Sequence, residues 1–397
     1  MTSTYNHLLL EEDLFLKYFD YAATTPMCEE ALEAYKECAS TYYANANSLH
    51  DLGTSAEQLY TQCKRTISEV LGADTDQLFI TNGGSEANWI ALDFHTNNSS
   101  GKHIIISQAE HNSLHKICEI FKKEGYSITS IPLDESGRIN IGALQNATTE
   151  DTCLVALQHI NGEIGTMQPI DEVANWCEEK QIKLHVDAVQ SFGKLDISHI
   201  TKRVDSLSFA SHKFYGPKGS GGLYLKEAHN TNAKRTSQLM LEGNTIDVPS
   251  VAAMTVAAKV TVGDCHSEFT RMKYMREEFI DKLSSINHLI EIYGCENEDF
   301  QLPSILGLGI RGLEGQWLML ECNRKGYAIS TGSACDVKYN HTPNTLKALG
   351  VSDERAKEFI RISFGKYTKL EDVIGLAQTI KEIVYEHLGI DQVEKVK

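Results

Sequence analysis

Short apolar runs alternate with amphipathic stretches through most of the chain, and this alternation predicts strands and helices in turn. Strands are predicted at residues 77–81, 103–107, 152–158, 183–187 and 206–209. Helical periodicity lies between them, as at residues 170–180, and another helix is predicted from the Gly83-Gly84-Ser85-Glu86 turn to Phe94. Strands that alternate with helices indicate an α/β fold, in which helices sandwich a mostly parallel sheet.

The pattern changes near residue 262. A long charged helix is predicted at residues 267–283, and short strands, a helix at 314–325 and a last helix at 370–387 follow. We therefore expect a large domain at residues 18–262 and a smaller α+β domain at 263–397, with residues 1–17 packed on the smaller one. A chain of 397 residues, 42% of them hydrophobic, is long enough to form both cores.

Composition excludes several classes of function. The net charge of −17 argues against direct nucleic-acid binding, which needs a basic surface. The ten cysteines contain no C-x-x-C pair, which argues against a metal site or a redox pair. Scattered thiols, an N-terminus without a basic signal-peptide start and apolar runs shorter than the ~20 residues of a membrane span predict a cytoplasmic protein that does not bind membranes.

Two residues at the ends of predicted strands suggest a cofactor. Lys213 follows an apolar run and precedes a Gly/Pro-rich turn, where its amine can be held out of water and form a Schiff base with an aldehyde. The alternative is a solvated loop lysine. Asp187 ends an apolar strand, where it can pair with a protonated pyridine nitrogen. Such a pair is how proteins hold pyridoxal 5'-phosphate (PLP), and ligands of parallel sheets bind at the carboxyl ends of strands.

Four other features are ambiguous when each is taken alone. The Gly83-Gly84-Ser85 turn before a helix suits a phosphate or is an ordinary turn with an N-cap. His111 follows a strand, where it can stack on a flat ring and move protons, or do neither. Arg361, alone among apolar neighbours in a predicted strand, can hold a carboxylate bidentately or snorkel at a strand edge. Cys335 lies in a small, polar segment where a thiol can ionise, whereas most other cysteines follow helical or strand patterns.

Four segments in this order resemble the motifs of one family. They are YFDYAATTP at residues 18–26, HVDAVQS at 185–191, SHKFYGPKG at 211–219 and TGSAC at 331–335. Through them the chain, from about residue 18 to 387, resembles the NifS/IscS-like cysteine desulfurases, class V aminotransferases with PLP fold type I. The long segment around Cys335 is similar to that of the IscS-type branch.

The resemblance implies a role for each motif residue. Lys213 would bind PLP covalently, Asp187 would pair with the pyridine nitrogen, and Gln190 would pair with the ring oxygen. His111 would stack on the ring and help to move protons. The phosphate would be bound by the following residues, the last of them from a second subunit of a homodimer: Gly84, Ser85, His212 and Thr245.

The substrate side is also implied. Arg361 would clamp the substrate carboxylate, and Asn45, with His50, falls in a degenerate copy of a substrate-side segment. L-cysteine would become L-alanine, and the sulfur would leave as a persulfide on Cys335 for an acceptor protein, such as an iron–sulfur scaffold or a thiolation enzyme. Two alternatives stay open. One is another PLP enzyme of fold type I, such as a selenocysteine lyase or C–S lyase, and the other is a catalytically impaired dimeric scaffold.

The chain departs from the family pattern at several positions. A glycine-rich stretch is missing between Leu225 and Thr245. Four residues differ from the usual Asn, Asn, Ser and Arg of the family, namely Trp89, Gly162, Ala210 and Glu242. We expect these changes to loosen phosphate binding or reshape the pocket.

Overall fold

The central sheet determines where the site lies. The computed structural model describes residues 16–227, 245–332 and 343–389. In these ranges seven strands form one sheet in the order β2-β8-β7-β6-β5-β3-β4. Their bounds are β2 Leu78–Thr81, β3 His103–Ser107, β4 Ser127–Ile131, β5 Thr152–Gln158, β6 Lys183–Asp187, β7 Ser206–Ala210 and β8 Gly221–Leu225.

Five of these strands run parallel, from β4 through β3, β5 and β6 to β7, and β8 joins β7 and β2 in antiparallel pairs. The mostly parallel sheet and the five predicted strands are confirmed. Strands β4 and β8 were not predicted. The outer strand β4 has mostly half-exposed side chains and a polar sequence, so it lacks the apolar run that marked the inner strands.

Helices cover both faces of this sheet. Alternate side chains of one strand enter different apolar clusters, as Ile105 and Ile104 of β3 do, which is the pattern of a sheet buried on both faces. The helices are α1 Glu29–Thr41, α2 Asp51–Leu71, α3 Gly84–Asn97, α4 Asn112–Lys123, α5 Ile141–Ala147, α6 Ile170–Lys180 and α7 Ser198–Arg203. The helices predicted at residues 170–180 and after Gly84 are thus confirmed.

A second, smaller sheet lies in the C-terminal part. It is antiparallel, in the order β12-β10-β9, and a separate two-stranded parallel pair joins β1 to β11. The bounds are β1 Lys17–Tyr18, β9 Ile290–Tyr293, β10 Ile305–Ile310, β11 Tyr327–Ala328 and β12 Phe359–Ser363. The remaining helices are α8 Val248–Lys282, α9 Gly315–Arg324, α10 Asn344–Ala348, α11 Asp353–Ala356 and α12 Leu370–Leu388. The helices predicted at residues 314–325 and 370–387 are therefore confirmed.

One helix is much longer than predicted. Helix α8 runs from Val248 to Lys282 over 35 residues, whereas the sequence pattern predicts only its charged second half. Its first half carries small apolar side chains that are buried, such as Ala253 and Ala257, so it has no polar face to produce an amphipathic signal. Residue 262, the expected domain boundary, lies inside this helix, and the division into two domains stays a prediction.

Candidate active site

A pocket of about 270 Å³ opens at the carboxyl ends of the parallel strands. Residues that follow β3, β5, β6 and β7 line it, together with the first turn of α3 and one side chain of β12. Eight of the predicted site residues line this pocket: Gly84, Ser85, His111, Asp187, Gln190, His212, Lys213 and Arg361. The fold therefore brings together side chains that are up to 277 positions apart in the sequence, since the first of these is residue 84 and the last 361.

Three predicted residues are not among those lining the pocket. Asn45 is exposed, and its side chain accepts a hydrogen bond from the Asn47 backbone at 2.9 Å. Thr245 is exposed as well. Cys335 lies outside the described residues, as does Glu242. His50, which follows Asn45, caps α2 by accepting from the Gly53 N–H at 3.1 Å. The roles predicted for these residues stay predictions.

The inner end of the pocket is formed by Asp187 and a buried amide. Asp187 Oδ2 accepts from Asn88 Nδ2 at 2.8 Å, and its Oδ1 accepts from the Val189 N–H at 3.0 Å. Because Asn88 Nδ2 donates to the carboxylate, Asn88 Oδ1 is free to accept, and it accepts from the Ser208 hydroxyl and from His185 Nε2. Asp187 is therefore fixed by side chains that are themselves hydrogen-bonded.

His185 extends this network into the core. Its Nε2 lies 3.0 Å from Asn88 Oδ1, which only accepts here, so Nε2 carries the hydrogen and Nδ1 accepts from Ser206 at 2.8 Å. Burial, followed by the effect of His95, lowers the pKa of His185 to about 3, so the ring is neutral at neutral pH. A neutral ring makes these hydrogen bonds without placing a positive charge behind Asp187.

Glu110 also lines the inner part of the pocket, near the Asp187 carboxylate. Its Oε2 accepts from the Gln158 N–H at 2.8 Å. Burial, with the nearby Asp187 carboxylate, raises the pKa of Glu110 well above its ordinary value. A buried carboxyl group beside a second carboxylate keeps its proton more readily than an exposed one does.

Lys213 follows β7 and its amine faces the same pocket. Its Nζ donates to the backbone carbonyl oxygens of Ala22 at 2.5 Å and Ala23 at 2.7 Å. Burial, with the positive charge of Arg361, lowers the pKa of Lys213 from 10.5 to about 7. About half of the amine is then unprotonated at neutral pH, which a nucleophile or a proton acceptor requires.

The outer end of the pocket combines a helix N-terminus with His212. Helix α3 begins at Gly84, next to the exposed Ser85, and its first N–H groups suit an anion. His212 Nδ1 lies 3.1 Å from the Thr24 hydroxyl. Burial, then the positive charge of Lys213, lowers the pKa of His212 to about 4, so it is a neutral hydrogen-bonding group near pH 7.

His111 lies at the rim, where its ring is exposed and caps α4. Its Nδ1 accepts from the Ser113 backbone N–H at 3.2 Å and lies 2.8 Å from the Ser113 hydroxyl. Because Nδ1 accepts a backbone hydrogen bond, the neutral ring carries its hydrogen on Nε2. The cap thereby fixes both the position of the ring and the nitrogen that carries the proton.

Arg361 brings a cation from the small sheet to the pocket. The residue is only 4% exposed. Its Nη2 donates to Asp20 at 2.7 Å and its Nη1 donates to the Gly162 carbonyl at 2.9 Å, while its Nε is buried without a partner among the described residues. Arg361 is thus not a snorkelling side chain, because burial and two fixed contacts hold its guanidinium at the pocket wall.

Sequence reasoning missed three functional contacts, those of Asn88, Asp20 and Glu110. Asp20 belongs to a motif segment and Asn88 follows the Gly83-Gly84-Ser85 turn, but nothing in a single sequence shows which residue a buried amide or carboxylate will face. Two departures from the family pattern, Gly162 and Ala210, do line the pocket. Trp89 is not part of its lining; it stacks on Phe121 with ring centroids 5.9 Å apart.

The residues present fit PLP. The pocket offers an amine with a pKa near neutrality, a buried carboxylate at the inner end and a helix N-terminus at the outer end. A Cβ atom on Gly84 would lie 2.6 Å from Val189 Cγ2, so glycine allows the α3 terminus to approach this wall closely. The unpartnered, buried Arg361 Nε adds a donor for a second anion. Among the described residues, no cluster of three or more His, Cys, Asp or Glu side chains could hold a metal ion.

Known proteins with similar sequences cover almost the whole chain. A family model described as Aminotransferase class-V matches residues 17–376. A Bacillus subtilis (strain 168) protein that bears the name NifS is 36% identical over 367 residues, which are 91% of this chain and 93% of that protein. The cysteine desulfurase IscS of Dictyoglomus turgidum (strain DSM 6724 / Z-1310) is 31% identical over 372 residues, 92% of this chain and 94% of that protein.

Solved structures agree with these matches. One described as a NifS-like protein has a TM-score of 0.84 and 27% identity, and the match covers 94% of this chain and 100% of that one. Another, described as SspA in complex with cysteine, has a TM-score of 0.75 and 28% identity, with 89% of this chain and 100% of that one covered. The predicted α/β architecture of PLP fold type I is thus confirmed. The chain belongs to the class-V aminotransferase family, within its PLP-dependent group of NifS- and IscS-type cysteine desulfurases.

Proposed function

We propose that this chain is a cysteine desulfurase that converts L-cysteine to L-alanine and carries the sulfur as a persulfide on Cys335. The observation that carries the proposal is the common pocket of Lys213 and Arg361. One provides an amine with a pKa of about 7, and the other provides a buried guanidinium for an α-carboxylate. An amino acid bound by its carboxylate at Arg361 would thus lie in the same pocket as the Lys213 amine.

The residues divide the work between binding and proton transfer. Bound PLP supplies an electron sink that stabilises the negative charge left at Cα when its proton is removed. Asp187 would hold a proton on the ring nitrogen by charge and hydrogen bonding. Lys213 Nζ accepts the Cα proton, which its lowered pKa favours near neutrality. His111, fixed at the rim by its helix cap, covers the pocket and holds a proton on Nε2.

The sulfur step belongs to Cys335. Its thiolate attacks the substrate sulfur, so that an S–S bond forms while the Cβ–S bond breaks, and a proton is delivered to Cβ as alanine forms. The persulfide then passes to an acceptor protein, for which an iron–sulfur scaffold or a thiolation enzyme is the expected class. We further propose a homodimer in a reducing, cytoplasmic setting, in which the partner's copy of the exposed Thr245 completes the phosphate end.

The test is alanine formation from L-cysteine with PLP and a reductant present. The native chain is compared with Lys213→Ala, Cys335→Ser and the control Cys265→Ser, which changes a partly exposed thiol of α8 that is not among the residues lining the pocket. We expect the first two variants to lose alanine formation by at least about 100-fold, the usual scale of a positioned acid–base group, and the control to match the native chain.

Two results would contradict the proposal. Full activity of Cys335→Ser would remove the persulfide step and favour a lyase that releases sulfide. A native chain that forms no alanine with saturating PLP would favour a dimeric scaffold.

A further inference from the structure

A second lysine, Lys194, lies directly behind the active-site wall. It sits in the turn after β6, where its N–H donates to the Ser191 carbonyl at 3.0 Å. Gly193 has a φ of 78°, and a Cβ there would lie 2.5 Å from Phe214 Cβ, so glycine lets the turn pack on the residue after Lys213. The turn that carries Lys194 is therefore packed against the residue that follows Lys213.

Among the described residues, the Lys194 side chain has one hydrogen-bond partner, Gln190, which links it to the active-site pocket. Its Nζ donates to Gln190 Oε1 at 2.8 Å, and Gln190 Nε2 donates to the Ala22 carbonyl at 2.9 Å. The same Ala22 oxygen accepts from Lys213 Nζ at 2.5 Å. Gln190 lines the active-site pocket, whereas Lys194 lines a separate, smaller cleft. The hydrogen bond of Lys194 thus reaches the active-site pocket through Gln190, whereas its positive charge also acts on Lys213 and His212.

The contact fixes which end of the Gln190 amide faces the pocket. A lysine amine bound as a donor pairs with the amide oxygen, and a backbone carbonyl pairs with the amide nitrogen. The two partners therefore impose the same orientation. If Lys194 were removed, Gln190 would keep a single anchor, on a carbonyl that already accepts from Lys213.

We propose that Lys194 is a positioning residue, which holds Gln190 with its NH₂ group available to donate to the ring oxygen of PLP. The inference rests on the proposed function, since it needs PLP in this pocket. Burial and the positive charges of Lys213 and Arg361 lower the pKa of Lys194 to about 7. Both protonation states of the amine keep N–H donors, so the contact to Gln190 Oε1 persists on either side of neutral pH.

A double-mutant cycle on cofactor affinity tests this proposal. The dissociation constant of PLP and the absorption maximum of bound PLP are measured for the native chain, Lys194→Met, Gln190→Ala and the double variant. We expect Lys194→Met to weaken PLP binding about tenfold in the native background, the scale of one hydrogen bond with an orienting role. In the Gln190→Ala background the same change should have less than a twofold effect, because the residue it acts through is gone.

The controls separate this role from a general loss of structure. Lys122→Met removes a half-exposed lysine of α4 that pairs with Glu119 at 2.6 Å, and it should leave the affinity and the spectrum unchanged. Lys194→Gln keeps an N–H donor without the charge, and we expect it to recover part of the affinity. It also serves as the second variant if Lys194→Met does not fold.

The outcomes also separate this inference from the proposed function. Equal affinity and spectrum for the native chain and Lys194→Met would overturn the inference alone. So would an equal loss in both backgrounds, because Lys194 would then act without Gln190. A native chain that binds no PLP would overturn both.

Discussion

The two ends of the pocket are built on different principles. At the inner end Asp187 and Asn88 are 6% and 1% exposed, and both carboxylate oxygens have fixed partners. At the outer end Ser85 is exposed, and the donors for an anion are backbone N–H groups and the neutral His212. The inner end is therefore complete in the single chain, whereas the outer end leaves its donors open to a ligand and, in the proposed homodimer, to a second subunit.

Burial explains the difference. A carboxylate in the core is tolerated only when its oxygens are hydrogen-bonded, so the inner end requires the network of Asn88, Ser208 and His185. An exposed helix N-terminus has no such requirement, because water satisfies its N–H groups until an anion replaces it. We therefore expect the inner end to control both folding and cofactor binding, and the outer end to control affinity alone.

Removal of Asp187 should disrupt the inner end of the pocket, and we expect it to have the largest effect on PLP binding. Asp187→Ala deletes the charge for the ring nitrogen and leaves buried Asn88 Nδ2 with only its longer contact to Ser113 Oγ at 3.3 Å. We expect PLP binding to weaken about 100-fold, since hydrogen bonds to charged groups contribute ~1.5–3 kcal/mol. Loss of the shorter bond of the buried amide should also lower the free energy of unfolding by ~1–3 kcal/mol. Equilibrium dialysis of PLP and denaturant unfolding of the apo-protein measure the two effects.

A surface aspartate provides the matched control for this change. Asp171 of α6 has a side chain that is 65% exposed, so Asp171→Ala should leave both measurements unchanged. If Asp187→Ala bound PLP as tightly as the native chain, the ring would not lie at the inner end, and the contrast between the two ends would have no functional meaning.

The inner end was also the part that the sequence predicted best. Asp187 ends a largely buried strand, and a parallel sheet places the residues after its strands at one edge, so its meeting with Lys213 followed from pattern alone. The partner Asn88 could not be found in this way. It lies on α3, whose helix is buried on nearly all sides, and the choice of the residue that faces Asp187 depends on how α3 packs across the sheet.

Several other features of the structure were not predicted, mainly because they depend on contacts between residues that are far apart in the sequence. Arg361 was identified as an isolated cation in a strand, but its contact with Asp20 joins positions 341 apart. The first half of α8 gave little signal because most of its side chains are small, apolar and buried. Asn45 and Thr245 are exposed in one chain, so any place for them in the site would depend on a second subunit, which a single sequence does not describe.

The pH dependence of covalent PLP binding tests the effect of burial inside the pocket, because burial is the main cause of the low pKa of Lys213. Covalent capture of PLP needs the unprotonated amine, so with a pKa of about 7 the capture rate of the apo-protein should rise about tenfold from pH 6 to pH 8 and then level off. Stopped-flow absorbance measures this rate. A rate that keeps rising tenfold per pH unit beyond pH 9 would show a lysine with its ordinary pKa of 10.5.

The same pKa also has a consequence for stability. The folded value of about 7 lies below the ordinary 10.5, so between these values the unfolded chain binds a proton at this lysine that the folded chain does not. Lys213 therefore destabilises the folded apo-protein at pH 7 and below, and this penalty is progressively relieved as pH rises from about 7 to 10.5. Unfolding of the native chain and Lys213→Met at pH 7 and pH 9 isolates this term, and the difference between the two proteins should shrink at the higher pH.

The smallest expected effect is a gain at the outer end. Ala210 is 2% exposed at the end of β7, lines the pocket, and lies 3.6 Å from the position of a Cβ on Gly84. A serine there would add a hydroxyl donor beside the α3 terminus, where this chain departs from its family. Ala210→Ser should tighten PLP binding about threefold, and Ser85→Ala should weaken it by a similar factor, because a typical hydrogen bond, in competition with water, contributes a net ~0.5–1.5 kcal/mol. Weaker binding by Ala210→Ser would mean that the hydroxyl is crowded at this position, and the outer end would then be adapted to alanine rather than incomplete.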